Sequence, residues 1–319
     1  MSASTQGISK GTVCRWFGYS RQAHHQRLAK FEQRVLDEEM IVQLTKETRR
    51  RAGLRLGTKK VFHEVSGKLK SMGIKCGRDR FYNVLRSYDM LIRPKRKRSI
   101  RTTDSSRWLK QFDDLAKDFT PTGPDQLWVA DITYLWTKGA PLYLSLITDA
   151  YSRQIMGWRV HENLKTKGPL LALEQALQRR SVTNTNLVHH SDRGCQYCSK
   201  AYIEVLTKAG IRSSTTQDGS PYDNALAESV NGQLKVEYDL ERTFESVAQA
   251  RNEVLAAIQK YNLYRPHGSL KMRKPTDVHY QSNQRMSTVI RIKDRTVNLK
   301  QDETRTCQPI FVKPTLNVK

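Results

Sequence analysis

LWVADITYLW, residues 127–136, decides how the chain is read. Leu127, Trp128, Val129, Ile132, Tyr134 and Leu135 make it a β-rich run, and Asp131 stands in its middle. A charge inside so apolar a strand is costly unless something neutralises it. A bound cation would do so; the alternative is a structural Asp at a sheet face. Two further β-rich runs follow, PLYLSLIT (141–148) and QIMGWRV (154–160), joined by DAYSR. Short connections between three such runs predict an antiparallel meander, with Asp149 as a turn residue after the second strand, a contribution to metal or DNA binding being the alternative. A helix is expected over 168–180, carried by Leu170, Leu171, Leu173 and Leu177. Then come a strand (NLVHH, 186–190), a helix over 199–209 with Ser199 as its N-cap, a strand (IRSSTT, 211–216) and a helix from about 224. The pattern predicts an α/β fold: a mixed five-stranded sheet with flanking helices.

Upstream the texture is different. The chain of 319 residues carries 55 Lys and Arg against 31 Asp and Glu, a formal net charge of +24. Residues 1–120 hold 28 of the basic residues and 12 of the acidic ones. So lopsided a charge suggests a basic arm on a less charged body and a polyanion as partner. Residues 11–35 read as helical, with GYSRQ as a turn of the helix-turn-helix kind. Residues 37–92 read as three short helices, marked by Ile41, Val42 and Leu44, then Val61, Val65, Leu69 and Met72, then Phe81, Val84, Leu85 and Tyr88. This basic all-helical region, 1–92, is expected to bind DNA through Arg78, Arg80 and Arg86, although a solvated basic bundle would carry the same pattern. Residues 93–123 read as a linker whose RPKRKR tract, including Arg96, Lys97 and Arg98, can track phosphates. The core is placed at 124–280 and a basic tail at 281–319.

Two more carboxylates complete the chemistry. Asp192 follows the fourth strand in HHSDRG, where ligands commonly sit in α/β sheets. Glu228 lies in the helix PYDNALAESVNGQLKVEY, whose Leu226, Val230 and Leu234 form one stripe while Glu228, Asn231, Gly232 and Lys235 fall opposite. Phosphoryl transfer on DNA uses two Mg²⁺ ions about 3.5–4 Å apart, and Mg²⁺ takes oxygen ligands. Three carboxylates from separate elements meet that need. Thirty-five residues separate Asp192 from Glu228, and Lys235 follows seven positions later.

WVADITYL, LYLSLITDAYSRQIMGW, HSDRGCQY, SPYDNALAESVNGQLKVE and YNLYRPHGSL together resemble the retroviral-integrase-like transposases of bacterial insertion elements. The likeness is to the second-frame product of the family that fuses two reading frames by frameshifting. It implies a ribonuclease-H-like fold, with Asp131, Asp192 and Glu228 as a catalytic, metal-holding triad for two Mg²⁺, which Mn²⁺ can replace. Asp131 would bridge both ions. Lys235, Tyr222, Asn224 and Arg193 are expected at the DNA. The implied activity is cleavage at element ends and strand transfer into target DNA. The implied partners are double-stranded DNA, further copies of the chain and the upstream-frame helix-turn-helix product. Without a sustained heptad pattern, the chain alone is expected to bind ends poorly. A non-catalytic DNA-binding regulator and a ribonuclease-H-like nuclease acting on hybrids are the alternatives.

Other features point elsewhere and carry less. His189, His190, Cys195 and Cys198 suggest zinc, but they bracket Asp192 too tightly for the usual ligand spacing. Residues 1–92 offer only Cys14 and Cys76, short of the zinc module of a true retroviral integrase. Tyr151, Tyr197 and Tyr222 lack the Arg/His setting of a tyrosine recombinase. Five cysteines, no signal-peptide core and no run of membrane-spanning length lead to an expectation of a reduced, cytoplasmic, nucleoid-associated protein.

Overall fold

β1 (Leu127–Thr137) is the middle of the sheet, as its apolar content on both parities requires. In the computed structural model, residues 9–93, 112–180, 186–216 and 224–280 are described. β2 (Leu142–Asp149) pairs antiparallel with β1, and β3 (Ile155–His161) antiparallel with β2. On the other side β4 (Val188–Ser191) runs parallel to β1, and β5 (Arg212–Thr215) parallel to β4. The order β3-β2-β1-β4-β5 is the ribonuclease-H-like mixed sheet that the sequence predicts. A two-residue strand, β6 (Thr243–Phe244), adds to the far end of β1 beside Trp136 and Thr137 and makes six strands rather than five.

Alternation along β1 sorts the two cores. Trp128 and Ala130 pack with Ala172, Leu173 and Ala176 of α5 (Lys167–Arg179) and with Tyr202 and Leu206 of α6 (Lys200–Lys208). Leu127 and Val129 meet Ala227 of α7 (Ala225–Glu237). Leu135 joins Val230 and Leu234 of α7 and Val254 and Ile258 of α8 (Val247–Tyr264). Odd-numbered residues of β1 therefore look toward α7. Gly157 in β3 lets α5 lie close: a Cβ there would stand 1.9 Å from the Ala172 carbonyl oxygen.

The helical region departs from its predicted division. α1 (Lys10–Trp16) ends at Gly18, whose φ is 70°, and Ser20 caps α2 by accepting from the Ala23 amide. α2 (Arg21–Ala52) then runs unbroken, through the expected gap near residue 36. Neither Gly nor Pro occurs between Ser20 and Gly53, so nothing stops the ladder until Gly53 at φ 140°. α3 (Thr58–Ser71) and α4 (Arg78–Ser87) pack on its second half through Ile41, Val61, Val65, Leu69, Phe81 and Leu85. Met72, expected in that stripe, caps α3 and is exposed.

This helical unit is fastened to the end of α7. Lys60 Nζ meets Glu237 Oε1 at 2.8 Å, and Arg265 grips both Glu237 oxygens at 2.6 and 2.8 Å. The Tyr238 hydroxyl donates to the Ala52 carbonyl (2.8 Å), and the Arg55 amide to the Glu237 carbonyl (3.1 Å). The core closes with α9 (Pro275–Tyr280), whose His279 is buried against the β2–β3 turn.

Candidate active site

Strand register sets the first two carboxylates. Leu127 pairs with Val188 and Ala130 with Ser191. One step beyond that last pair stand Asp131 in β1 and Asp192 in the first position after β4, close enough for their charges to interact. Both follow the parity that looks toward α7. There the Asn231 side-chain amide donates to Asp131 Oδ2 at 2.7 Å. Glu228 lies one turn earlier on the same helix, exposed at its outer side.

The charges interact. Asp131 is pushed up to about 7, first by loss of water around it and then by the Asp192 charge, with Glu228 adding to the rise; the bonds from Asn231 and the Ile132 amide pull the other way. Burial raises Asp192 as well, opposed by the Gly194 amide (3.1 Å) and by His190. Lys235 is lowered by burial, against the pull of Glu241 and Asp131. Two poorly hydrated carboxylates, Asp131 and Asp192, with the exposed Glu228 repelling the first, are a hard, all-oxygen donor set that a divalent cation suits. Asp131, Asp192 and Glu228 fit such an ion in chemistry. Their oxygens are not drawn to ligand contact, as three like charges would not be on their own. Among the described residues, the ligand atoms that all lie within 4.8 Å of one another are those of Asp125, Asp149 and His279. That group holds the chain together instead: Asp149 accepts from the Asp125 amide and from the Ser152 amide and hydroxyl, and Asp125 accepts from Trp128 Nε1. Asp149 is not the turn residue that was expected: it is the last residue of β2, paired with Trp128, and its carboxylate accepts from the turn that follows.

Several predicted DNA contacts are placed otherwise. Asn224 is buried and donates to the Ala130 carbonyl at 3.0 Å, which latches the start of α7 to β1 beside Asp131. Arg80 turns inward to Asp37 (3.0 Å) and the Lys75 carbonyl (2.6 Å), since α4 must be tied to α2. Arg193 Nε binds the Thr216 carbonyl at 2.7 Å and anchors the end of β5. Arg78 and Arg86 do stand on the open face of α4, with Tyr82 and Asn83 between them lining a shallow recess. Tyr222, Arg96, Lys97 and Arg98 lie outside the described residues. Asn231 went unread as a site residue; its position three residues after Glu228 was the available signal. The zinc constellation does not gather: His189 bonds Tyr202, His190 bonds Ser214, and Cys195 is exposed.

Residues 121–221 match the integrase core domain, and residues 209–275 match a second description of that domain. Over 253 residues the chain is 33% identical to the insertion element IS600 uncharacterized 31 kDa protein of Shigella sonnei, covering 78% of this chain and 89% of that protein. The chain belongs to the insertion-element transposase family with an integrase core. Its likeness to the transposase for insertion sequence element IS629, also of Shigella sonnei, is 40% over 167 residues, 52% of this chain and 56% of that one. The chain thus spans about half the length of the first curated relatives it matches. Among solved structures, the HTLV-2 integrase catalytic core domain in complex with magnesium aligns with a TM-score of 0.41 at 19% identity, over 50% of this chain and 100% of that one. The family's integrase core coincides with the sheet that carries Asp131 and Asp192. No helix among the described residues is long and apolar enough to cross a membrane.

Proposed function

We propose that this chain is a DNA transposase that cleaves the ends of an insertion element and joins the freed 3′ ends to target DNA. The observation that carries the reading is the approach of Asp131 on β1 and Asp192, just past the end of β4, to the Asn231 and Glu228 side of α7. Asp131, Asp192 and Glu228 would hold two Mg²⁺ ions, for which Mn²⁺ can substitute. Such ions, when bound, relieve charge on the leaving oxygen and favour the deprotonated nucleophile. The chain's own groups do the positioning. Asn231 fixes the Asp131 carboxylate, Asn224 fixes the helix that brings Glu228, and Lys235 offers a cation beside them for the DNA backbone.

The chemistry is two phosphoryl transfers. Water adds to the phosphorus at the element's end, the bond to the 3′ oxygen breaks, and that oxygen leaves as a hydroxyl. The hydroxyl then attacks a phosphodiester of the target and displaces its 3′ oxygen. The helical unit would dock on the duplex through α4, with Arg78, Tyr82, Asn83 and Arg86 on its open face. Assembly of several copies on DNA, help from an upstream-frame helix-turn-helix product and residence at the nucleoid belong to the same proposal. So does the division into a DNA-binding helical region, a basic linker, a catalytic core and a basic tail.

Asp131→Asn, Asp192→Asn and Glu228→Gln should each abolish cleavage and strand transfer of end DNA in Mg²⁺ while leaving DNA binding intact. Normal transfer by any two of them sinks the reading. Cleavage of RNA–DNA hybrids in place of end DNA would replace transposition with a nuclease.

A further inference from the structure

Away from Asp131, Asp192 and Glu228, the buried side-chain atoms without a hydrogen-bond partner among the described residues include a group of four: Arg153 Nε, Tyr261 Oη, Arg265 Nη1 and His267 Nε2. They belong to one neighbourhood. Arg153 lies in the β2–β3 turn, at a left-handed φ of 63°. Tyr261 is in the last turn of α8, and Arg265 and His267 follow it. Asn262 accepts from the Ile155 amide and donates to its carbonyl, both at 3.0 Å, which clamps the exit of the β2–β3 turn onto α8. The Arg265 guanidinium lies 5.2 Å from the Tyr261 ring centre, and the Tyr261 and His267 rings are 6.4 Å apart. Both rings feel the Arg265 and Arg153 charges.

Charge does not balance there. Two nitrogens of Arg265 and the ammonium of Lys60 share one carboxylate, Glu237. Arg153 has no ion pair among the described residues; Asp149 acts on it only from beyond contact and is itself engaged by Ser152 and the Asp125 amide. The histidine answers to this surplus: burial first, then Arg265, Arg153 and Lys60, hold it at about 3, so it is neutral. Its Nδ1 lies 2.9 Å from the Ser269 hydroxyl. With that hydroxyl donating, Nε2 carries the proton and faces inward as a donor.

We propose that Arg153, Tyr261, Arg265 and His267 ligate one small inorganic anion, held where the β2–β3 turn and the end of α8 meet the start of α3. A water molecule could take up the hydrogen bonds, but it would leave the local cationic excess, half-buried at Arg153, without a counter-charge. A DNA phosphate cannot be the ligand, because the four atoms have essentially no access to solvent. Halides and free oxyanions share the required chemistry, a negative charge with several lone pairs.

The test is thermal unfolding of the full chain in chloride, bromide, sulfate and phosphate, with ionic strength held constant. At least one anion should raise Tm saturably. Arg153→Met, which leaves the Glu237 pairs intact, should abolish the saturable part. Tyr261→Phe, which removes only the hydroxyl, should weaken it about tenfold. Arg159→Met, an exposed cation on β3, should leave it unchanged. Diffraction from crystals grown in bromide or selenate should place an anomalous peak among the four atoms. The proposal fails if no anion raises Tm beyond the ionic-strength effect, if Tyr261→Phe and Arg153→Met keep the full saturable shift, or if the density there is a lone water.

Discussion

Asn231 shows how one side chain can turn a helix into part of a site. It stands a turn beyond Glu228, and its amide holds the carboxylate at the centre of β1. Asn231→Ala deletes a hydrogen bond to a charged group, worth about 1.5–3 kcal/mol. Strand transfer is therefore expected to fall on the order of 10- to 100-fold, with end binding in a mobility-shift assay unchanged; equal losses of both would make Asn231 merely structural. Two histidines set a second expectation. His189, bonded to Tyr202, is held at about 3 by burial and then by the neighbouring His190; His267 is held at about 3 as well. Depressed imidazoles bind their protons more readily in the unfolded chain. Their stabilising contribution is complete above the ordinary value of 6.5 and drains away as pH falls from there toward 3. Denaturant melts between pH 7 and 4 should show this slope, and His267→Gln should flatten it. At this scale the placement of Asp131 in a central strand and of Asp192 just after β4 was legible from short-range pattern, whereas the choice of Glu228 on an exposed helix face rested on spacing and family resemblance. Asn231 was not legible, since an uncharged residue on a polar helix face looks the same whether it meets water or a carboxylate. The bond from Asn224 to the Ala130 carbonyl was equally unreadable, since no local pattern links positions 94 residues apart.

α7 is pinned at both ends: at its start by Asn224 on β1, and at its finish by Glu237. The cations at that finish also complement the negative end of the helix dipole. Glu237 would be raised by burial, but the Arg265 bonds and the Arg265 and Lys60 charges overcome this and hold it below its usual range. Removing one partner of a buried pair costs more than removing a cation that has a second carrier beside it. Glu237→Gln should destabilise the chain by about 3 kcal/mol. Lys60→Met, at a more open position, should cost about 1 kcal/mol. Chemical denaturation compares them directly, and a reversed order would contradict the assigned geometry. None of this clamp is readable from sequence, because 177 positions separate Lys60 from Glu237 and no local periodicity links them. The meander and the αβαβα succession were readable, since each rests on short-range pattern. β6 was not: two residues are too few to carry an alternation. The length of α2 was hidden by a change of environment, since its first half is exposed and its second half buried, which mimics two separate helices.

Across the whole chain, the positive surplus is concentrated in the part that precedes the sheet. Affinity for duplex DNA should accordingly drop steeply with salt, through release of counterions. The seam joining the helical unit to the core has a consequence for anyone who trims the protein. A fragment starting near residue 112 lacks Ala52, Arg55 and Lys60, and would bare a raw edge: the Tyr238 phenol, the Glu237 carbonyl and a carboxylate stripped of one of its two cations. Such a fragment should melt lower than the intact chain and self-associate in sedimentation, even though every strand of its sheet is present. Supplying the helical unit as a separate chain should repair both defects, so that the amputated half serves as its own remedy.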